Sequence, residues 1–143
     1  MTARRALFIV IVTVIAALGA AACDGPAGPS LNLAGTWAGT LTFDTAGVTV
    51  VDNVTATLQQ SGSAVTGTWT SEGGTSGTFT FTAEAQVSGT MTITQTLING
   101  LVCNGSTSLN GDATASRLEL DLGTLATSGV CQWGTNQSFL LMR

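Results

Sequence analysis

The chain has 143 residues, a formal net charge of −4 and no histidine. All four of its basic residues are arginines, so it lacks the basic patch that neutralises phosphates, which argues strongly against nucleic acid as a partner. The absence of histidine and lysine also excludes Ser-His-Asp, Cys-His and Ser-Lys catalytic sets.

The first predicted element is a signal-peptide helix at residues 1–22. Arg4 and Arg5 form a positive n-region, and residues 6–18 form an uninterrupted apolar h-region. The alternative is an uncleaved anchor helix, because counting on through Ala22 nearly reaches the roughly 20 apolar residues that span a bilayer. The small side chains of residues 19–22 favour cleavage, since they suit a peptidase cleft.

Residues 18–23 read Leu-Gly-Ala-Ala-Ala-Cys, a stretch that resembles the lipobox of bacterial lipoproteins. The usual lipobox has leucine three positions before the cysteine, where this chain has Ala20. The resemblance implies cleavage before Cys23 and acyl chains such as palmitate on that residue, and two or three chains make the membrane anchor stable. The remaining chain would then be a lipid-anchored cell-envelope domain facing the periplasm or exterior, with a lipidated tether at residues 23–32.

Alternation of apolar and polar residues predicts one all-β domain at residues 33–143. In residues 35–43, Trp37, Leu41 and Phe43 alternate with threonine and alanine. This alternation is typical of a β-strand with one buried and one solvated face. The pattern recurs near residues 54–58, 65–70, 78–83, 90–94, 117–122 and 139–142. We therefore expect about eight strands and no helix after the tether.

Short connections are predicted where residues tolerate positive φ. Such residues occur at 61–63, 72–74, 99–100 and 110–112. Antiparallel strands joined by hairpins form an up-and-down meander, and eight of them close most economically into a barrel without free edges. Gly39, Gly67 and Gly89, which lie inside predicted strands, would mark the sharp bends of a small barrel.

Two segments carry a family resemblance. Residues 33–37 (Leu-Ala-Gly-Thr-Trp) resemble the Gly-X-Trp start of lipocalins and related calycin barrels, and residues 65–69 (Val-Thr-Gly-Thr-Trp) resemble the second strand of avidin-type barrels. The later Thr-Asp-Tyr segment of lipocalins is absent, and the chain has no tyrosine. The resemblance implies a small calycin-like barrel, and it carries over neither a ligand nor biotin-binding residues.

Cys103 and Cys131 are the cysteines that remain after Cys23. An oxidising exterior and an even count favour a disulfide between them. The alternative, a two-cysteine metal site, has no histidine to complete it, so we expect neither a metal nor a cofactor. Trp133 lies beside Cys131, where it would cover the bridge; the alternative is a contact with a partner.

Four aromatic side chains should face the barrel interior: Trp37, Trp69, Phe79 and Phe81. An eight-stranded barrel either fills with side chains or holds one small ligand. Two functions therefore remain open. The first is a carrier of a small apolar ligand, with an internal cavity on the order of a few hundred Å³. The second is a filled barrel that serves as a structural or protein-interaction module of the envelope.

The carboxylates offer little catalytic potential. Glu119 and Asp121 alternate with leucines and are predicted on the outer face of their strand, in contact with solvent. A paired-carboxylate mechanism needs two acids that converge across a cleft. We therefore expect that the protein is not an enzyme.

Overall fold

The computed structural model describes residues 31–125 and 131–143. The predicted signal peptide, Cys23 and most of the predicted tether lie outside these residues. The described residues form eight strands: β1 (Gly35–Thr45), β2 (Val48–Ser61), β3 (Ala64–Ser71), β4 (Thr75–Thr82), β5 (Gln86–Thr96), β6 (Val102–Ala113), β7 (Arg117–Leu122) and β8 (Thr135–Met142).

Each strand pairs antiparallel with the next along the chain, and β8 pairs with β1 to close the barrel. The predicted all-β class, the number of strands, the meander and the closure are therefore confirmed. None of the described residues forms a helix capable of crossing a membrane.

The period-two pattern gives each strand one face towards the core and one face towards solvent. Along β5, Val87, Met91 and Ile93 are buried, whereas Thr90 and Thr92 between them are exposed. Threonine suits this outer wall because its β-branched side chain favours the pleat and its hydroxyl stays hydrated. Inward apolar side chains from all eight strands thus share one core inside the barrel.

Glycines allow neighbouring strands to approach closely on the inner face. A Cβ atom on Gly39 would overlap the carbonyl oxygen of Leu140, and Gly67 and Gly89 are similarly crowded. These three glycines lie at the positions where the sequence predicts the sharp bends of a small barrel. Gly111 belongs to the same group, because residues 110–112 lie inside β6 and pair with β5 and β7. The predicted turn at 110–112 is therefore wrong, and the turn falls at residues 114–116.

The other three predicted turns all connect strands, and the turns divide between two ends of the barrel. At one end, here called the closed end, lie residues 31–34, the turns at 62–63, 83–85 and 114–116, and Arg143. At the other, here called the open end, lie the turns at 46–47, 72–74 and 97–101 and the connection from β7 to β8.

The closed end is sealed by packed and paired groups. Trp37 is fully buried, and its Nε1 donates a hydrogen bond of 2.9 Å to the Leu33 carbonyl oxygen. Gln60 Oε1 accepts a hydrogen bond of 2.7 Å from the Leu33 amide. The Arg143 guanidinium lies 5.1 Å from the centre of the Trp37 ring. It also donates to three carbonyl oxygens, those of Asn32, Ala34 and Ala115.

Candidate functional site

The four aromatic residues predicted to face the interior all lie in the buried core: Trp37, Trp69, Phe79 and Phe81. Trp69 and Phe79 pack with Phe139, which is outside the predicted set. The Phe139 ring centre lies 5.0 Å from that of Trp69 and 5.3 Å from that of Phe79. These rings occupy the middle of the barrel, so a ligand would have to bind nearer to the open end.

A cavity of about 180 Å³, here called the mouth, lies at the open end. It is lined by residues of β1, β4, β5, β8 and the segment before β8: Phe43, Thr45, Thr75, Ile93, Gln95, Gln132, Trp133, Gly134 and Gln137. The mouth is smaller than the cavity expected for a carrier. It is nevertheless large enough for one aromatic ring, because an apolar cavity of roughly 150 Å³ binds benzene.

Polar groups are buried at the mouth without partners. Gln137 is only 6% exposed, and its Nε2 donates a hydrogen bond of 2.7 Å to the Gly134 carbonyl oxygen. Its Oε1 has no hydrogen-bond partner among residues 31–125 and 131–143, and neither has the buried Nε1 of Trp133. A buried polar group without a partner costs about 1–3 kcal/mol. Both residues line the mouth, but these two atoms are themselves shielded from a water-sized molecule by the described part of the chain.

Trp69 Nε1 is the third buried polar atom that lacks a partner among the described residues. It lies beside Gly77 of β4, where an added Cβ would be 2.7 Å away. Thr75 is two residues from Gly77 along β4 and lines the mouth. Trp69 therefore belongs to the ring cluster beneath the mouth.

A β-bulge positions Gln137. The ladder between β1 and β8 shifts register between Thr42 and Asp44, so Asn136 and Gln137 lie opposite the single residue Phe43. Asn136 has a φ of 51°, a conformation that asparagine tolerates better than most residues. The bulge interrupts the alternation, and Gln137 becomes the first side chain of β8 that points into the barrel.

Asp44 holds this bulge from outside. Asn136 Nδ2 donates to Asp44 Oδ2 at 2.9 Å, and Thr49 Oγ1 donates to Asp44 Oδ1 at 2.7 Å. These two hydrogen bonds, that from Asn136 first, hold the pKa of the Asp44 carboxyl below its usual value of 3.8. The ionised carboxylate is therefore the form that secures the bulge.

The predicted disulfide fixes the segment that carries Trp133. Cys103 and Cys131 are bonded with an S–S distance of 2.06 Å, which joins this segment to β6. Trp133 does line the mouth, and its Nε1 lies against Gly105 of β6, where an added Cβ would be 3.1 Å away. Gly105 thus leaves the space that the indole occupies.

Trp133 and Gln137 were not predicted as site residues. For Trp133 the sequence predicts a position over the disulfide, and its neighbourhood has no period that indicates an inward position. Gln137 is a single polar residue before an apolar strand. Its inward position depends on the bulge. The one indication in the sequence is that Gln137 lies two residues before Phe139 and four before Leu141, which places it in the same alternating set.

Exposed apolar side chains flank the mouth on two hairpins. The five residues concerned, here called the apolar rim, are Val48, Val51, Ile98, Leu101 and Val102. The hairpin of β1 and β2 and the hairpin of β5 and β6 lie on opposite sides of the eight-stranded barrel. The rim therefore borders the mouth from two sides.

Charges are distributed unevenly between the two ends. The described residues contain two cations, Arg117 and Arg143, and both lie at the closed end. Four carboxylates lie around the open end, on β1, β2, β7 and the turn that follows β3: Asp44, Asp52, Asp121 and Glu72. The surroundings of the mouth are therefore acidic.

A larger hollow of about 590 Å³ lies on the outer wall across β1, β2 and β3. Its lining includes Thr40, Thr55 and Thr70, which belong to the solvated face of the strands. None of the three buried polar atoms that lack partners within the described ranges lines this hollow. It has the features of the threonine-covered wall, whereas another hollow, of about 510 Å³, shares Trp133, Gly134 and Gln137 with the mouth and belongs to the same open-end site.

Comparison with known proteins found no matching family model, curated protein or solved structure. Within residues 31–125 and 131–143, no group of three or more His, Cys, Asp or Glu side chains could hold a metal ion. The lipobox and the calycin resemblance stay predictions from the sequence.

Proposed function

We propose that this chain is a lipid-anchored, non-catalytic protein of the bacterial cell envelope that binds a small, mainly apolar ligand at the mouth. The observation that carries the binding is a cavity of about 180 Å³ at the open end, whose lining combines the side chains of Phe43, Ile93 and Trp133 with those of threonines and glutamines. Ligand sites typically combine apolar walls with a few convergent polar groups. Phe43, Ile93 and Trp133 would contact the ligand.

The anchor is supported by the charged and apolar pattern of residues 1–22 and by Cys23 behind its small residues. The Cys103–Cys131 disulfide also suits an oxidising extracytoplasmic compartment. Without residues 1–22 the chain keeps two arginines against eight acidic residues, a net charge of −6. Attraction to anionic lipid would be absent, so the acyl chains alone would hold the protein at the membrane.

The anchor is tested by fractionation and mass spectrometry in an expressing bacterium. We expect the wild-type chain in the membrane fraction with acyl mass on Cys23, and the Cys23→Ser variant in the soluble fraction. A wild-type protein that carries no acyl group would contradict the anchor. That result would not bear on ligand binding at the mouth, which is tested by a different experiment.

Ligand binding is tested with one-ring probes and the indole N–H signals of the full-length chain in detergent micelles. The three tryptophans give three signals that single Trp→Phe variants assign. We expect toluene, benzyl alcohol or benzamide to shift the Trp133 signal and to leave that of Trp37 in place. Trp37 is a suitable reference because its N–H is already paired at the closed end.

A matched pair of variants on β4 locates the binding. Thr75→Phe fills the mouth, whereas Thr78→Phe adds the same ring to the exposed outer wall. We expect probe binding to be lost in the first variant and kept in the second. Equal probe shifts in both variants would place the binding elsewhere and contradict the proposal.

A second candidate function is a protein-interaction module, and the apolar rim favours it. Ile98 is fully exposed, and Leu101 and Val102 of the same hairpin are exposed as well; clustered exposed apolar side chains are a feature of interaction sites. The test is a photo-crosslinking residue at Ile98 in intact cells, with Glu84 at the closed end as the matched position. One defined adduct at Ile98, lost in a Val51→Ser variant, would favour this function; the same adducts at both positions would oppose it.

A further inference from the structure

Although the barrel is closed, the hairpin of β1 and β2 extends beyond the neighbouring strand β3 at the open end. The ladder between β2 and β3 ends at Val54, whereas β2 begins at Val48, and the first residues of β2 pair with β1 alone among the described strands. One last backbone hydrogen bond of 3.0 Å joins the Glu72 amide to the Asn53 carbonyl oxygen. Residues 48–51 therefore form a strand edge, here called the free edge, that no strand in the described part of the chain covers.

Alternation along β2 decides which backbone groups point to the free edge. In an antiparallel strand the N–H and C=O of one residue point to one side, and those of the next residue point to the other. The Asn53 carbonyl points towards β3, so the N–H and C=O groups of Thr49 and Val51 point to that side as well. The two-residue turn before β2, with positive φ at both residues, pairs Val48 with β1 and agrees with this alternation. Thr49 and Val51 thus offer backbone donors and acceptors that lack partners within the part of the chain that the structure describes.

The side chains of the free edge suit the addition of a further strand. Residues 48–51 read Val-Thr-Val-Val, four consecutive β-branched residues, and such residues favour strands. Val48 and Val51 are each 61% exposed. Lysine, proline or a β-bulge commonly protects an exposed edge, and this segment contains no lysine or proline and pairs with β1 in regular register. Its backbone is therefore open to an extended segment of another chain, which would bind by β-augmentation.

The charges beside the free edge decide which segment fits. Three carboxylates lie there, at the end of β1, in β2 and in the turn after β3: Asp44, Asp52 and Glu72. Both arginines of the described residues lie at the closed end. A second copy of this chain would bring the same three carboxylates to the edge, and like charges across an interface repel.

We propose that the free edge of β2 binds an extended segment of another protein that carries lysine or arginine. The backbone groups of Thr49 and Val51 would pair with this segment, and its cations would lie beside the three carboxylates. Binding here is independent of ligand binding at the mouth. It would give the interaction module, the second candidate function, a site and a partner chemistry.

The experiment titrates the full-length chain in detergent micelles with three capped peptides. The first is Lys-Thr-Val-Thr-Val-Lys, the second has glutamate in place of lysine, and the third is the lysine peptide with proline in place of valine. We expect the lysine peptide to bind at least about tenfold tighter than the glutamate peptide, because two charges change sign beside the carboxylates. The proline peptide lacks two backbone donors and should bind far more weakly than the lysine peptide.

Amide hydrogen exchange locates the binding on β2. The lysine peptide should slow the exchange of the Thr49 and Val51 amides, whose N–H groups point to the free edge. It should leave the Val50 amide unchanged, because that N–H points towards β1. Slowing at all three amides alike would indicate a general stabilisation of the hairpin and would contradict strand addition.

A matched pair of double variants separates the charges at the free edge from the net charge. Asp52→Asn with Glu72→Gln removes two charges at the edge and keeps an oxygen that can accept the bonds from Gly73 and Asn53. Glu84→Gln with Asp112→Asn removes the same charge at the closed end. We expect the first double variant to bind the lysine peptide about three- to tenfold more weakly, and the second to bind it within about twofold of the wild type.

Each remaining outcome contradicts a specific part of the proposal. Slow exchange of Thr49 and Val51 in the dilute protein without peptide would mean that the edge is already covered. Protection that rises with protein concentration would make a second copy the occupant. Equal affinity for the lysine and glutamate peptides would refute the charge selection, and no binding of the lysine peptide would refute the site. None of these results bears on the mouth, because its probes are followed at Trp133.

Discussion

The closed and open ends of the barrel are built by the same eight strands, but the two ends differ in how completely their polar groups are hydrogen-bonded. At the closed end, Trp37 Nε1 is paired, both functional atoms of Gln60 are bonded, and Arg143 donates to three carbonyl oxygens. At the open end, Trp133 and Gln137 keep buried atoms without partners in the described part of the chain. Buried polar groups are normally paired. The difference indicates that hydrogen bonds stabilise the closed end more fully than the open end, where we propose that a ligand binds.

Removing the tryptophan at each end is the strongest test of this comparison. Trp37→Ala should lower the free energy of unfolding by about 3–5 kcal/mol, the usual cost of deleting a buried tryptophan. Trp133 is only partly buried, so Trp133→Ala should cost no more than about 1–2 kcal/mol. Denaturant unfolding of both variants measures the two values. Equal losses would mean that the open end contributes as much to stability as the closed end.

The disulfide ties the segment before β8 to β6 at the open end. It closes a loop with a sequence separation of 28 residues, so replacing both cysteines by serine should cost about 3–4 kcal/mol in the chain-entropy model. The segment of Trp133 would also lose its tie to β6, and we expect weaker probe binding at the mouth. Unfolding curves of the double variant and of the oxidised wild type give the difference. A loss below about 1 kcal/mol would contradict the chain-entropy account.

Two glycines provide a smaller and more local contrast. An added Cβ at Gly39 would meet the backbone of Leu140 and Leu141, which cannot move without opening the ladder between β1 and β8. Gly39→Ala should therefore destabilise the barrel by about 1–3 kcal/mol. At Gly105 the nearest atoms are side-chain ends of Ile93, Leu125 and Trp133, at 3.0 to 3.1 Å.

Because those side-chain ends can shift, Gly105→Ala should cost less than about 1 kcal/mol. It should nevertheless displace the Trp133 indole and change the Trp133 N–H signal. Thermal unfolding and the NMR spectrum together measure both effects. A Gly105→Ala variant that is less stable than Gly39→Ala would reverse the assignment of the two ends.

The smallest expected effect is a pH dependence at the bulge of the open end. Because hydrogen bonds from Asn136 and Thr49 lower the pKa of Asp44 in the folded state, its contribution to stability is complete well above pH 3.8 and is lost as the pH falls through the lowered value. Asn136→Gly removes the amide and tolerates the positive φ. A carboxyl NMR titration should then show the pKa of Asp44 rising towards its usual value; an unchanged titration would exclude Asn136 as the cause.

The strands were predictable because their information is local. Period-two alternation marks β5 without reference to any other strand, and the disulfide follows from the count of cysteines and from the oxidising compartment that the predicted leader implies. The turn at Asn110 and Gly111 was mispredicted because glycine serves equally for a tight turn and for close approach of strands. The mouth was not predictable, since the bond from Asn136 to Asp44 joins residues 92 positions apart. The pairing of Arg143 with Ala34 spans 109 positions and gives no local signal either.

The position of Leu31 has a consequence for how the protein would work on a surface. Leu31 precedes β1 at the closed end, where Gln60 Nε2 donates to its carbonyl oxygen at 2.8 Å. If Cys23 carries the lipid, the seven residues between it and Leu31 extend to at most about 25 Å. So short a tether would keep the closed end next to the bilayer, with the mouth on the side of the barrel that faces the water. The protein would then collect its ligand from the aqueous space, and not by drawing it sideways out of the membrane.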